Sequence, residues 1–129
     1  MTPRRFAQLG WASARVRSFA CAFRGLAAMF SSQLNARIHA GATVVVIGAG
    51  WWFCLSATEW ALVVAAITLV WTAEAVNTAV EHVVDLVSPE EHPLAGKAKD
   101  VAAGAVLAAS IGAAVVGGIV FGPKIAGLL

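Results

Sequence analysis

Charge is what this sequence has least of. Only 12% of its 129 residues are Asp, Glu, Lys or Arg, against about 25% in an ordinary soluble domain. Hydrophobic residues make up 60%, and 12 glycines raise the apolar share further. A soluble domain this small leaves a large part of its surface in water, and the polar residues here are too few to cover one. Disorder is excluded by the same scarcity, because disordered chains are polar and highly charged. The composition implies an integral membrane protein, and the length allows one domain.

Cysteine is scarce too. Cys21 and Cys54 stand far apart with no metal-site spacing, and each is expected to be an unpaired, buried thiol. Acidic residues are missing from the first 37 positions, which hold six of the nine basic ones: Arg4, Arg5, Arg15, Arg17, Arg24 and Arg37. Nucleic-acid binding would need basic residues on a soluble face with stacking platforms. Ahead of apolar runs, they read instead as a topology signal. With the N-terminus cytoplasmic, those arginines join Lys97 and Lys99 inside and leave only Lys124 outside. Familiar nucleotide and hydrolase signatures are also missing: no GxxxxGK[ST] loop, no kinase catalytic loop, no GxSxG elbow.

What is present is helical. Residues 1–36 form a basic segment in which Val16, Phe19, Ala20, Phe23, Leu26, Ala27 and Phe30 recur at helical spacing. Arg17 and Arg24 fall off that stripe, so the segment predicts an amphipathic helix in the headgroup layer. The same arginines break any signal-peptide core. Residues 37–129 predict three transmembrane helices, at about 38–57, 60–85 and 100–122. Ala40 to Thr58 is 19 residues without charge, close to the ~20 needed to cross hydrocarbon. Trp51, Trp52 and Trp60 cluster at its far end as interfacial rings, and Glu59 marks the turn. The second span continues as helix past Glu74. A loop is expected over 86–98, with Pro89, Pro93 and Gly96 as breakers. The third span is uncharged from Val101 to Gly122, and Gly117 and Gly118 suit close helix packing. The expected fold is all-α.

The chemistry concentrates between Trp71 and Asp85. At ~100° per residue, Glu74, Asn77, Thr78, Glu81 and Asp85 fall within roughly 100° of arc. One helix thus carries three carboxylates and an amide on one face, running from below the membrane surface outward. An ionised group at mid-bilayer costs at least ~2.5–3.5 kcal/mol, so this face must meet protein, water or a cation. Asp85 also reads as a solvated residue at a helix end. His82 points off the stripe as a bystander, and His39 is an interfacial histidine needing no function. Lys97, Lys99 and Asp100 precede the third span, which brings Lys99 near the acidic face if the two spans pack antiparallel. Carboxylates beside a lysine suit Mg²⁺ and a phosphate; topology charge with ion pairing reads equally well.

The segment Glu74-Ala-Val-Asn77-Thr78-Ala-Val-Glu81-His-Val-Val-Asp85, with Ser88-Pro-Glu-Glu-His-Pro-Leu and Lys99-Asp100-Val-Ala-Ala-Gly-Ala-Val, resembles the small bacterial diacylglycerol kinase family, which includes the undecaprenol kinases. The likeness covers about residues 15–123, including Ser18-Phe-Ala-Cys-Ala-Phe-Arg-Gly25-Leu and Asn35-Ala-Arg-Ile-His39. It implies a homotrimer in the bacterial inner membrane that moves the γ-phosphoryl of Mg·ATP onto a lipid hydroxyl at the cytoplasmic face. By position, Glu74 resembles the general base, Glu81 a metal-coordinating glutamate, and Asn77 a residue lining the site. Gln33 stands where the family carries its second metal-binding glutamate, which implies weaker metal binding. The resemblance further implies ATP contacts at Gln33, Glu81, Glu90, Glu91, His92, Lys99 and Asp100, and lipid-substrate contacts at Glu74, Asn77, Trp60 and Ala103. The implied reaction is diacylglycerol to phosphatidic acid. The Ser-Pro-Glu-x-His-Pro-Leu loop looks more like the undecaprenol kinase branch, so undecaprenol is the alternative acceptor. Two other classes stay open: a small proton-coupled transporter using Glu74 as its proton site, and a non-enzymatic scaffold.

Overall fold

A computed structural model describes residues 3–128, with side chains from Ser13 onward. It contains four helices: α1 (Pro3–Ser32), α2 (Leu34–Trp52), α3 (Ala57–Val87) and α4 (Pro93–Ala126). No strand occurs among the described residues. The chain divides into two compact units, residues 1–32 and 33–129. The first unit is the single helix α1, on which Val16, Phe19 and Phe23 are exposed.

Within the second unit, short turns force α2, α3 and α4 to run antiparallel in succession. The first turn answers for the end of α2. Leu55 N–H donates to the Gly50 carbonyl at 3.1 Å and Cys54 N–H to the Trp51 carbonyl at 3.2 Å. These are the two bonds of a Schellman motif, which needs a left-handed residue between them. Cys54 takes that conformation, with φ of 50°. The chain re-enters helix through a capping box: Ser56 Oγ accepts from Glu59 N–H, and Ser56 N–H donates to Glu59 Oε2 at 2.7 Å.

This turn corrects the expected first span. The uncharged run 40–58 is not one helix, because the motif at 53–56 stops it. After Arg37, α2 is free of charge over residues 38–52, about 22 Å of helix against ~30 Å of hydrocarbon. Among the described residues two helices, α3 and α4, are long and apolar enough to cross a membrane by length and composition. Both thiols are exposed rather than buried, since Cys21 sits on α1 and Cys54 in the turn.

The second turn is shorter than expected. Instead of a loop over 86–98, only Ser88–His92 lies outside helix. Pro93 starts a helix, because the first helical position needs no N–H donor, and His92 Nδ1 caps it by accepting from Leu94 N–H at 3.2 Å.

The pairing of α3 with α4 is bracketed by two ion pairs. Lys124 Nζ meets Glu59 Oε1 at 3.1 Å, and Lys99 Nζ meets Asp85 Oδ1 at 2.5 Å. The two acids stand about 39 Å apart along α3 at 1.5 Å per residue, enough to flank a hydrocarbon core. Near the Glu59 end, Leu55, Val63 and Val120 form an apolar cluster with Val46, Trp60 and Phe121 packed against it. Gly50 allows the close approach there: a Cβ at this position would stand 2.6 Å from the Trp60 ring. This cluster fixes one end of the helices and sets the register at the other, where the polar residues gather.

Candidate active site

The polar face of α3 runs from buried to exposed. Glu74 is 1% exposed, Asn77 and Thr78 are buried, Glu81 is half-buried, and the Asp85 side chain is 63% exposed. Thr78 is satisfied locally, its Oγ1 donating to the Glu74 carbonyl at 2.9 Å, a usual resolution for a hydroxyl inside a helix. Glu74 and Asn77 are not. Glu74 Oε1 and Asn77 Oδ1 are buried acceptors with no hydrogen bond. An unmatched buried acceptor costs about 1–3 kcal/mol, and two within one helical turn mark a place that receives donors or a cation.

Glu81 is held from two sides. Asn77 Nδ2 donates to its Oε1 at 3.0 Å, and Gln33 Nε2 donates to its Oε2 at 2.6 Å. Gln33 occupies the N-cap position of α2 but makes no capping bond there; its amide reaches across to Glu81 instead. Thus the start of α2 and the last third of α3 are joined by one side-chain contact.

His39, expected to be without function, is brought to the site. Its Nε2 lies 3.2 Å from Glu74 Oε1, close enough for an ion pair although no hydrogen bond is formed. One turn further on, Trp71 Nε1 donates to Thr43 Oγ1 at 3.2 Å, and Thr43 Oγ1 donates to the His39 carbonyl at 2.7 Å. The threonine hydroxyl spends its proton on its own helix and offers its lone pair to the tryptophan. Sequence spacing could not find His39, because its partner lies on another helix.

A small cleft of about 310 Å³ opens beside these groups, lined by Asn35, His39, Asn77, Glu81, Ala103 and Ser110 among others. It brings Ala103 to the acidic face. A second groove, of about 640 Å³, is lined by Asp85, Glu90, Glu91, His92 and Lys99. The hydrogen bond to Asp85 holds the Lys99 ammonium above the usual lysine range, and Lys99 precedes the uncharged stretch 101–122. Asp100 is exposed and lines neither hollow. Trp60 is not brought to the site. It stands about 21 Å along α3 from Glu74, packed near Gly50 and beside Trp51.

Among the described residues no cluster of three His, Cys, Asp or Glu stands ready for a metal. The donor set nonetheless suits Mg²⁺, which takes oxygen ligands from one or two carboxylates and completes its shell with substrate phosphates. The Glu81 carboxylate and the orphaned Asn77 Oδ1 are such oxygens.

Fold and site together define a small helical membrane protein with a buried acidic face below its surface and a lysine at the rim. Comparison with known proteins narrows this class. The model of the prokaryotic diacylglycerol kinase family matches residues 20–121. The undecaprenol kinase of Bacillus subtilis (strain 168) is 38% identical over 109 residues, covering 84% of this chain and 89% of that protein. The diacylglycerol kinase of Synechocystis sp. is 43% identical over 113 residues, 87% of this chain and 65% of that longer protein. The diacylglycerol kinase of Escherichia coli (strain K12) is 30% identical over 96 residues, 74% and 79% respectively. The chain belongs to the prokaryotic diacylglycerol kinase family and is a lipid kinase, a phosphotransferase.

Proposed function

We propose that the chain transfers the γ-phosphoryl group of ATP to the hydroxyl of diacylglycerol, at the cytoplasmic face of the bacterial inner membrane, as a homotrimer. The observation that carries this reading is the buried Glu74 carboxylate with an unmatched oxygen, one turn from an equally unmatched Asn77 carbonyl. A lipid hydroxyl is a hydrogen-bond donor that reaches this depth from the bilayer. Glu74 Oε1 accepts its proton, and the alcohol oxygen attacks the γ-phosphorus as the bond to the β-phosphate oxygen breaks. Phosphoryl transfer of this kind depends on positioning and charge stabilisation. Asn77 lines the cleft beside this carboxylate, and Ala103 borders the same cleft.

Glu81, with Asn77 and Gln33, would hold Mg²⁺, which when bound would supply positive charge to the phosphates of ATP. Lys99 adds a second charge from the groove it shares with Glu90, Glu91 and His92. Lysine contributes to phosphates as a point charge. Asp100 borders neither the cleft nor the groove, and Trp60 lines a separate apolar hollow with Ile47, Trp51, Val64 and Ile67. Six arginines in the first 37 residues, with Lys97 and Lys99, favour a cytoplasmic N-terminus and site. α2 runs antiparallel to α3 from Gln33, held against Glu81, to the turn before Glu59, so its charge-free part together with the uncharged turn 53–56 makes the first crossing, with its polar first turn in the interface.

Undecaprenol is the second acceptor reading, favoured by the relative from Bacillus subtilis and by the sequence Ser88–Leu94. Purified protein in mixed micelles with labelled ATP, offered each lipid separately, tests both. One lipid should be phosphorylated, only with Mg²⁺, and Glu74→Gln should lower turnover at least ~10³-fold, within the range that a general base contributes, with the melting temperature little changed. Full turnover in Glu74→Gln removes this residue from the chemistry.

A further inference from the structure

A base that takes a proton in every turnover must lose it before the next. Glu74 is 1% exposed, so the proton cannot leave directly to water. Among the described ionisable groups, the one within ion-pair distance of its carboxylate is His39, with Nε2 at 3.2 Å from Oε1. His39 is 22% exposed and lines the polar cleft with Asn35, Asn77, Glu81 and Ser110, so the imidazole joins the buried oxygen to that cleft. Its placement is enforced from α3: the indole of Trp71 and the hydroxyl of Thr43 tie the His39 backbone one turn above Glu74.

We propose that His39 is the positioning residue of the base and its outlet for protons. The inference rests on reading Glu74 as the base of the lipid kinase reaction. The relay needs the imidazole proton on Nδ1 and Nε2 free to accept only once Glu74 has taken the lipid's proton. During transfer the O–H bond of the lipid breaks and a proton is bound by Glu74. After phosphoryl transfer the Glu74 O–H bond breaks in turn, and His39 Nε2 takes the proton. The imidazolium then releases it to water at its exposed edge. The sum is one proton moved from alcohol to solvent for each phosphate ester formed, which is the stoichiometry of phosphorylating an alcohol.

The electrostatic setting permits this. The cleft holding His39 is lined from α3 by Asn77 and Glu81 and from α4 by Ala103, Val106, Leu107 and Ser110. Its titratable neighbours are therefore Glu74 and Glu81, with Arg37 two residues away on α2. No titratable residue of α4 lines the cleft. The imidazolium formed by the relay stands 3.2 Å from the Glu74 carboxylate, while Glu81 is committed to the cation.

The test uses the full chain in mixed micelles with Mg·ATP and whichever lipid the wild type phosphorylates. His39→Gln keeps a hydrogen-bonding side chain of similar length but carries no proton. It should lose at least tenfold in kcat, with KM for ATP and for lipid within about twofold of wild type, and should flatten the pH dependence of kcat. In His39→Ala, added imidazole should restore turnover, increasingly so as pH rises and more of the imidazole is unprotonated. Full kcat in His39→Gln, a loss confined to KM, or lost turnover that imidazole does not recover in His39→Ala would each overturn the relay. Failure of the kinase reading looks different: the wild type phosphorylates neither lipid, or Glu74→Gln stays active.

Discussion

Replacing Gln33 with glutamate exchanges a hydrogen bond for a repulsion at a known distance. The amide nitrogen lies 2.6 Å from Glu81 Oε2, and a bond of this kind to a charged group is worth about 1.5–3 kcal/mol. Two carboxylates left at that spacing repel by about 1.6 kcal/mol under water-like screening and about 6 kcal/mol at an effective dielectric of 20. Both side chains are half-buried, so a value between these applies, reduced as they move apart. Without metal, Gln33→Glu should therefore melt below wild type. With Mg²⁺ the sign reverses, because the second carboxylate becomes a ligand instead of a repelling neighbour. The half-saturating Mg²⁺ concentration for turnover should fall about tenfold, equivalent to about 1.4 kcal/mol. Melting curves in chelator and across an Mg²⁺ titration, paired with ATP turnover, read both effects. An unchanged Mg²⁺ requirement together with an unchanged melting temperature in chelator would show that Gln33 and Glu81 do not share an ion, and would refute the reasoning.

Three further outcomes follow from the same geometry. Cys54→Gly should raise the melting temperature, since a left-handed residue with a Cβ costs about 1–2 kcal/mol and glycine at this Schellman position does not; a lowered melting point would contradict the turn. Gly50→Ala should destabilise by about 1–3 kcal/mol, the usual penalty of overpacking, and should change Trp60 fluorescence, because the new methyl meets its ring. Lys99→Met should abolish most ATP turnover while shifting the melting temperature little, because the Lys99–Asp85 pair is exposed and screened by water. The raised Lys99 pKa adds a sign: its pairing with Asp85 is fully present below the unfolded lysine value and fades only as pH climbs through the folded one. The melting-temperature gap between wild type and Lys99→Met should therefore stay level from pH 6 to 9, and a steady decline over that range would count against the pair.

The membrane character, the helical class and the acidic face of α3 were legible in the sequence because each is a local property. Hydropathy is additive along the chain, and an i, i+3, i+7 pattern needs only the helix it sits on. Misreadings came where a local signal had two structural uses. Pro93 looked like a breaker and is a helix starter, its neighbour His92 supplying the cap. The uncharged run 40–58 looked like one span, but the hydrogen bonds to Gly50 and Trp51 end α2 inside it. Those bonds depend on Cys54 adopting a conformation that composition does not reveal.

Composition and period by themselves determined that this chain lives in a membrane and carries carboxylates on one helical face. Tertiary structure alone decided what those carboxylates meet: His39 against Glu74, Gln33 against Glu81 across 48 residues, Lys99 against Asp85. The reason is that contacts between helices follow from axial register and rotation. These are set by the packing of Leu55, Val63 and Val120 and by the close approach at Gly50, and no period within a single helix encodes them.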